Sequence, residues 1–481
     1  MNLPAAFIDQ MKPWLSEAEM QEFIDALTTS DLPTSVRWNM EKLRLSGCSS
    51  PLKDDVSLRP VPWCKTGTYL AERPQFTLDP RLHGGLYYVQ EASSQFVSHV
   101  VEHLFCANPA KSQLFEAQLP ITTLDLCAAP GGKSTAVLSS LPEGSVLVSN
   151  EIDRKRARVL AENIQKWGNP NVCVTANAPV DFRTLGETFD LIVTDVPCSG
   201  EGMFRKDAGA IDEWSPAKVN ECAALQRSII SDIWPCLKPD GYLIYSTCTF
   251  NVAENEANLQ FIHDSLGGEI IPIPVETNWH IHPALTGPFA PDVRSESACR
   301  FMPHYTEGEG LFMALIHKPA VVSSETHRTS AYTSERKTNN KEKEPDFSAW
   351  LSSKNFTILP NREGMYIALS KELKPLYDEL VSAKLYLLSA GVELGTIKGK
   401  DVIPAHALAL STALRPEAFP CADIDLATAL SYLRRDTIVL PPNIPRGFVL
   451  LTYEHIPLGF VKNIGNRCNS LYPMEWRIRR L

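Results

Sequence analysis

Two cysteines and an aspartate follow short apolar segments, and this placement predicts a reactive site. Residues 191–194 are apolar and mostly β-branched, which is typical of a buried strand, and Asp195 and Cys198 come soon after them. A second apolar run at 242–245 leads to Cys248. Open α/β sheets bind their ligands at the carboxyl ends of parallel strands, so the two thiols and the acid are expected to meet there.

The surroundings of the two thiols favour chemistry over packing. A buried cysteine usually acts as a small hydrophobic residue. Cys198 and Cys248 instead lie in predicted turns next to Ser or Thr and near an acid, where a reactive thiol is expected. The 12 cysteines include no CxxC pair, so no metal site is expected, and neither a signal peptide nor a disulfide framework is expected. These features predict reduced thiols in the cytoplasm.

A glycine-containing turn precedes these segments in the chain. The residues LDLCAAPGGK at 124–133 are typical of a strand, a tight turn and a helix start, although they form neither a GxGxxG motif nor a P-loop. Glycines let the backbone approach a ligand, and N–H groups at a helix start bind a carboxylate or another anion. The cofactor-binding candidates in this segment are Cys127, Ala128, Ala129, Pro130, Gly131, Gly132 and Lys133.

Polar residues also follow the neighbouring predicted strands. Glu151 follows the second strand, where a carboxylate can accept both hydroxyls of a ribose. Asn177 follows the third, where it is expected to contact the edge of an adenine, and Asp195 follows the fourth. Each residue alone could belong to an ordinary turn. Four successive strand ends with ligands on one edge predict a nucleoside cofactor.

The elements that would position these residues alternate between strand and helix. Strands are predicted at 121–126, 145–150, 172–175, 189–194 and 241–246, and helices at 133–141, 154–167, 216–237 and 253–265. This alternation predicts a doubly wound α/β domain with a parallel sheet. Residues 301–304 and 311–317 are expected to add an antiparallel edge.

Two further regions flank this core. Residues 1–82 predict a small α+β domain. Its residues 11–27 can form a helix, with Ser16 as N-cap and Glu19 completing a capping box. At 35–43 basic and aromatic residues interleave, which suits RNA contact, although a half-exposed strand is the more conservative interpretation. Residues 319–345 predict a flexible linker, and 346–481 an independently folding β-rich domain with a basic, aromatic end.

Composition narrows the class of partner. The chain has 481 residues, too many for one core, and its 44% hydrophobic and 21% charged residues are ordinary for a globular protein. The net charge of -10 leaves any nucleic-acid binding to local basic patches. No apolar run approaches the roughly 20 residues that span a bilayer, so no membrane partner is expected.

Taken together, the motifs resemble those of the RNA cytosine-5 methyltransferases of the Sun family. The resemblance extends from a Ser-x-Arg-x-Asn motif at 35–39 to the C-terminal module. Within the family, segments 195–207 and 447–473 are most similar to the bacterial F-type group that acts on 16S ribosomal RNA. The other motifs are YYVQEASS at 87–94, DLCAAPGGK at 125–133, YSTCT at 245–249, and Pro303-His304 followed by GLFMALIHK at 310–318.

The resemblance implies a function for each region. It implies a Rossmann-like catalytic domain at 83–318 that uses S-adenosylmethionine, between an RNA-binding domain at 1–82 and a PUA-like RNA-binding domain at 346–481. The implied substrate is a cytosine in 16S ribosomal RNA, within the small subunit or its precursor. We expect a monomer.

The resemblance also implies roles for single residues. Cys248, in the Thr-Cys motif, would be the nucleophile that adds to the ring carbon next to position 5. Cys198, in the Pro-Cys motif, would assist removal of the position-5 proton and product release. Asp195 would contact cofactor and base. Asn177 departs from the pattern because many relatives carry Asp there, although Asn can still donate and accept hydrogen bonds.

Three alternatives remain open at this point. A DNA cytosine methyltransferase would place its nucleophile in the Pro-Cys motif, so the Thr-Cys motif argues against that class. A related enzyme could instead act on transfer RNA. A non-catalytic RNA-binding assembly factor would be expected to lose a cysteine or the cofactor turn, and both are present.

Overall fold

The computed structural model describes residues 3–28, 32–47, 58–105, 120–320, 346–361, 364–399 and 401–479. The N-terminal elements are α1 (Ala5–Met11), α2 (Glu17–Thr28), β1 (Thr34–Trp38), α3 (Met40–Ser46), β2 (Arg59–Val61), β3 (Cys64–Leu70), α4 (Pro80–His83) and β4 (Tyr87–Val89). The four strands form an antiparallel sheet in the order β2-β3-β1-β4.

The helix predicted at 11–27 is divided into two. Residues 12–16 form turns between α1 and α2, and Pro13 in that segment has no N–H to continue a helix. The predicted capping box is confirmed at the start of α2. The Ser16 N–H donates to Glu19 Oε2 at 2.9 Å, and the Glu19 N–H donates to Ser16 Oγ at 3.3 Å.

The central region is a doubly wound α/β domain, as predicted. Its helices are α5 (Phe96–Phe105), α6 (Gly132–Ser140), α7 (Arg154–Trp167), α8 (Ala208–Glu213), α9 (Pro216–Ile233) and α10 (Glu256–Leu266). Its strands are β5 (Thr122–Asp125), β6 (Val146–Asn150), β7 (Val172–Thr175), β8 (Phe189–Asp195), β9 (Leu237–Thr247), β10 (Glu269–Ile271), β11 (His282–Pro283), β12 (Ala298–Phe301) and β13 (Leu311–His317).

The middle of this sheet is parallel, in the order β7-β6-β5-β8-β9. The predicted antiparallel edge is present, with β13 against β9 and β12 against β13. The strand predicted at 301–304 was placed too late in the chain, since it lies at Ala298–Phe301. The helix predicted to reach 237 ends at Ile233, because residues 234–236 form a tighter 3-10 turn before β9 begins.

The basic and aromatic residues of the segment at 35–43, namely Arg37, Trp38 and Lys42, are buried and not exposed to RNA. Every residue of β1 is buried, so the half-exposed alternative is wrong as well. The Arg37 guanidinium donates to Gln90 Oε1 at 2.9 Å and to the carbonyl of Gly132 at 3.4 Å, and it lies over the Trp167 ring at 4.5 Å. Arg37 therefore fastens the N-terminal sheet to the start of α6.

The C-terminal region contains two more four-stranded sheets. Its elements are β14 (Phe356–Pro360), β15 (Met365–Ser370), α11 (Leu373–Ser382), β16 (Leu387–Ala390), β17 (Val392–Lys398), β18 (Asp401–Pro404), α12 (His406–Leu410), β19 (Cys421–Asp423), α13 (Leu426–Arg434), β20 (Gly447–Tyr453), β21 (Ile456–Asn463) and β22 (Cys468–Ser470). The sheet orders are β14-β15-β17-β18 and β19-β20-β21-β22.

This region is joined to the catalytic core by a shared sheet and a shared hydrophobic cluster, whereas the prediction had set it apart as a separate domain. Strand β16 pairs antiparallel with β7 and is the last strand of the ten-stranded catalytic sheet. Leucines of α11 lie in one hydrophobic cluster with core residues of β5 and β8. The predicted linker at 319–345 lies outside the described residues except for its first two positions, and within the described residues no helix is long and apolar enough to cross a membrane.

Candidate active site

The structure brings the two cysteines into direct contact. Cys198 follows β8 and Cys248 follows β9, and these strands pair in parallel with Asp195 opposite Ser246. The two sulfur atoms lie 3.2 Å apart. Both side chains keep part of their surface exposed.

Polar side chains behind the cysteines tie the two loops together. Ser199 and Thr249, the residues after the two cysteines, have hydroxyl oxygens 3.3 Å apart. The side-chain amide of Asn251 donates to Thr249 Oγ1 and to Glu254 Oε1, each at 2.7 Å. The Ser199 N–H donates to the other carboxylate oxygen of Glu254 at 2.9 Å. These bonds set the spacing of the loops that carry the thiols.

Two buried acids of this network were missed in the sequence. Glu201 and Glu254 are both 0% exposed. Glu201 accepts the backbone N–H groups of Phe250 at 2.6 Å and Asn251 at 3.0 Å. The donors that the described residues offer to both acids are amides, backbone groups and an indole N–H, with no lysine or arginine among them. The sequence does contain a signal for these acids, because Glu201 follows Cys198 and Glu254 follows Cys248 within a few residues, in segments that are otherwise mostly apolar or small.

Lys133 and Asp195 form an ion pair near Cys248. Lys133 Nζ lies 2.8 Å from Asp195 Oδ2, and Ser246 Oγ donates to Asp195 Oδ1 at 3.0 Å. Burial acts to lower the pKa of Lys133, but the charges of Asp195 and the Cys248 sulfur outweigh it and the pKa is raised. Lys133 therefore stays charged and places a cation near Cys248. The sequence had suggested only cofactor contact for Lys133.

Cys198 has the opposite electrostatic surroundings. Its hydrogen bond with Cys248 and its burial raise the pKa of the Cys198 thiol well above its ordinary value, and the nearby Glu254 charge raises it further. Two chemically identical side chains therefore differ in their neighbours. A cation lies near Cys248, whereas a buried carboxylate lies near Cys198.

A cavity of about 270 Å³ adjoins the ion pair. Gly131 has a φ of +112°, a conformation that favours glycine, and no side chain in the described part of the chain caps α6 after it. A free helix start beside a cavity fits the carboxylate of an amino-acid cofactor. The cavity is lined by Cys127, Ala128, Ala129, Pro130, Gly132, Lys133 and Asp195, together with Tyr88, Val89, Gln90, Glu91, Ser94 and Lys206, which the sequence reasoning had not assigned.

The two remaining cofactor candidates have different environments. Glu151 follows β6 and is 3% exposed, and its Oε1 accepts the N–H of Asp153 at 3.0 Å while its Oε2 lies 3.3 Å from an Arg156 nitrogen. Asn177 follows β7, but its side chain does not face an empty site. Its Oδ1 accepts the N–H of Tyr386 at 2.8 Å, and its Nδ2 donates to the Tyr386 carbonyl at 3.2 Å. The Asn177 side chain thus contacts the C-terminal region, and its contact with adenine stays a prediction.

A cavity beside the Lys133–Asp195 ion pair, with paired thiols after the neighbouring strands, suits methyl transfer, and comparison with known proteins agrees. Three family models match the chain: 16S rRNA methyltransferase RsmB/F at 113–317, the N-terminal domain of 16S rRNA methyltransferase RsmF at 3–92, and the methyltransferase RsmF PUA domain at 419–478. The protein is an RNA methyltransferase that uses S-adenosylmethionine.

More specifically, the chain belongs to the family of ribosomal RNA small subunit methyltransferase F. The protein of that name from Aliivibrio fischeri (strain MJ11) is 30% identical, over 98% of this chain and 97% of its own length. The protein of the same name from Erwinia tasmaniensis is 27% identical, over 98% of this chain and 96% of its own length. The resemblance to the Sun family and the cofactor are thereby confirmed.

Solved structures share the catalytic fold. A methyltransferase homolog protein from Pyrococcus horikoshii is 27% identical with a TM-score of 0.50, and covers 66% of this chain and 100% of its own. NSun6 from Pyrococcus horikoshii with SFG has a TM-score of 0.52 at 18% identity, over 66% of this chain and 99% of its own, which shows a common fold. The predicted fold class is confirmed, with the PUA match confined to 419–478.

Proposed function

We propose that this enzyme methylates carbon 5 of a cytosine in 16S ribosomal RNA, within the small subunit or its precursor, through a covalent adduct with Cys248. The observation that carries the proposal is the pair of thiols, 3.2 Å apart, beside the Lys133–Asp195 ion pair. The family names of the relatives support the ribosomal substrate. We further propose that the enzyme acts as a monomer in the cytoplasm.

Cys248 is the nucleophile in this proposal. Carbon 5 of cytosine is a weak nucleophile until a thiolate adds to the neighbouring ring carbon and converts it into an enamine carbon. The Lys133–Asp195 ion pair lies near Cys248, and we propose that Asp195 accepts a hydrogen bond from the base. Bound S-adenosylmethionine supplies the electrophilic methyl group, with Glu151 and the turn at 127–133 as its proposed binding residues.

Cys198 assists removal of the position-5 proton in this proposal. Its sulfur lies 3.2 Å from that of Cys248, and its raised pKa keeps it a thiol at rest. It must therefore pass its own proton to solvent before its sulfur accepts the proton from carbon 5. Loss of that proton restores the ring double bond, and the bond between Cys248 and the base then breaks. The network of Ser199, Thr249, Asn251 and Glu254 holds the base within reach of both thiols by fixing their loops.

The RNA strand is proposed to approach through a cleft beside the Cys198 loop. A cavity of about 520 Å³ lies between the N-terminal sheet and the catalytic domain, and Arg59, Arg73, Arg205 and His304 are among its lining residues. Arg205 directly precedes Lys206, which lines the cofactor cavity. Arginine side chains in such a cleft suit contacts with phosphate groups.

Replacement of Cys198 tests the two-thiol mechanism. Cys198→Ala should still add Cys248 to the base and accept the methyl group, but it should retain the position-5 proton and release product slowly. Labelled 16S ribosomal RNA incubated with S-adenosylmethionine should then migrate as a slow covalent adduct on a denaturing gel. Cys248→Ala and the double variant are the matched controls and should form no adduct.

Two outcomes would contradict the proposal. An adduct that persists without Cys248 would assign the nucleophile elsewhere, and turnover by Cys248→Ala would do the same.

Bisulfite sequencing of total RNA from cells with and without the gene identifies the substrate. Loss of one 5-methylcytosine from 16S ribosomal RNA is expected, whereas a loss confined to transfer RNA would refute the ribosomal assignment.

A further inference from the structure

The proposed site sets the direction in which the cofactor lies along the edge of the catalytic sheet. Its methyl group has to reach the thiols after β8 and β9, and the proposed acceptor for its ribose is Glu151, after β6. The strand order β9-β8-β5-β6-β7-β16 then places the adenine beyond Glu151, at the end of β7 and the start of the antiparallel β16. The adenine end of the site therefore lies where the C-terminal region joins the sheet.

Tyr386 is fixed at this position by its backbone. The N–H of Ala176 donates to the Tyr386 carbonyl at 3.0 Å, and the Asn177 side chain bonds both the N–H and the carbonyl of Tyr386. The amide thus acts like one more residue of the β7–β16 ladder. An aspartate at 177 could accept from the N–H but could not donate to the carbonyl, so the amide is specific for this contact.

The ring of Tyr386 contacts a residue close in sequence to the proposed ribose acid. The Arg154 guanidinium carbon is 4.8 Å from the centre of the ring, and Arg154 is the first residue of α7, three residues after Glu151. Tyr386 is 49% exposed, and Ile152, between Glu151 and Arg154, is 61% exposed. Two exposed apolar surfaces on fixed backbone therefore border the place where a purine base is expected.

We propose that the Tyr386 ring stacks on the adenine of S-adenosylmethionine, so that the C-terminal region completes the cofactor site of the catalytic domain. Arg154 covers one face of the ring and keeps it in position, and the adenine lies against the other face. Purine bases stack on aromatic side chains without needing a particular hydrogen-bond pattern. The inference rests on the proposed role of Glu151, which sets the direction of the cofactor.

Calorimetric titration of the full-length protein with S-adenosylhomocysteine tests this inference. Tyr386→Ala should raise the Kd between about fivefold and about a hundredfold, whereas Tyr386→Phe should change it by less than about twofold, because only the ring is needed. The same loss is expected with 5′-methylthioadenosine, which keeps the adenosine and lacks the amino-acid group. The ladder bonds use the backbone, so thermal unfolding of the ligand-free alanine variant should stay close to that of the parent.

Glu151→Ala separates this inference from the proposed cofactor site. An unchanged Kd in Tyr386→Ala, together with a raised Kd in Glu151→Ala, would overturn the role of Tyr386 and leave the proposed site intact. Unchanged values in both would overturn both. A Tyr386→Ala variant that loses RNA affinity while its Kd for S-adenosylhomocysteine is unchanged would assign the ring to RNA instead and also overturn the inference.

Discussion

A chain that ends at residue 345 should lose its folded catalytic core. The removed segment contributes Leu369, Leu373, Leu376 and Leu380, each at most 5% exposed, to the cluster that contains core residues of the catalytic sheet. At about 1.5–3 kcal/mol for each buried side chain, their loss removes roughly 6–12 kcal/mol, somewhat less if the unfolded chain is compact. The total stability of a domain is typically about 5–15 kcal/mol. Removal of β16 also leaves β7 as an unpaired edge.

Chemical denaturation and cofactor binding measure this effect. Residues 1–345 should show no cooperative fluorescence transition in urea and no heat of binding with S-adenosylhomocysteine. Full-length Leu380→Ala is the matched point variant and should lose about 2–5 kcal/mol while still binding. A truncated protein that unfolds cooperatively near the midpoint of the full chain, and binds S-adenosylhomocysteine with the same Kd, would refute the reasoning.

Four further predictions follow from single side chains. Glu151→Ala should weaken binding of S-adenosylhomocysteine by about 1–3 kcal/mol in calorimetry and leave RNA affinity unchanged, since a ribose acceptor is lost. Glu254→Gln places an amide donor against the N–H donors of Ser199, Gln226 or Asn251, which should displace the loops that carry the two thiols. The kcat should then fall on the order of a hundredfold while cofactor binding is retained. Normal turnover would contradict the role of the network. Arg73→Ala should weaken RNA binding uniformly across sequences and reduce its salt dependence in filter-binding assays. Burial lowers the pKa of His406 to about 3. Below about pH 6.5 the unfolded state therefore binds a proton at His406 that the folded state does not bind, and the free energy of unfolding decreases as the pH is lowered. His406→Phe should therefore show a smaller drop in Tm between pH 7.5 and pH 5 than the parent, and an equal drop would count against this assignment.

The sequence alone determined the catalytic sheet, its cofactor turn and the meeting of the two thiols. These features depend on local patterns. Helix α7 has its predicted bounds because Asp153 caps its start and Gly168, with a φ of +84°, ends it. Cys198 and Cys248 meet because parallel strands end on one edge, and that follows from the alternation of strand and helix.

The tertiary structure alone decided which polar groups are free for function. The sequence suggests that Arg37 contacts RNA, but in the folded protein Arg37 is buried and bonds to Gln90 and Gly132, which are distant in sequence. The side-chain amide of Asn177 bonds the backbone of Tyr386, 209 residues further along the chain, which no local pattern indicates. The limit has a physical reason. Periodicity and turn chemistry act over a few residues, whereas burial and hydrogen-bond satisfaction depend on segments that meet only after the chain has folded.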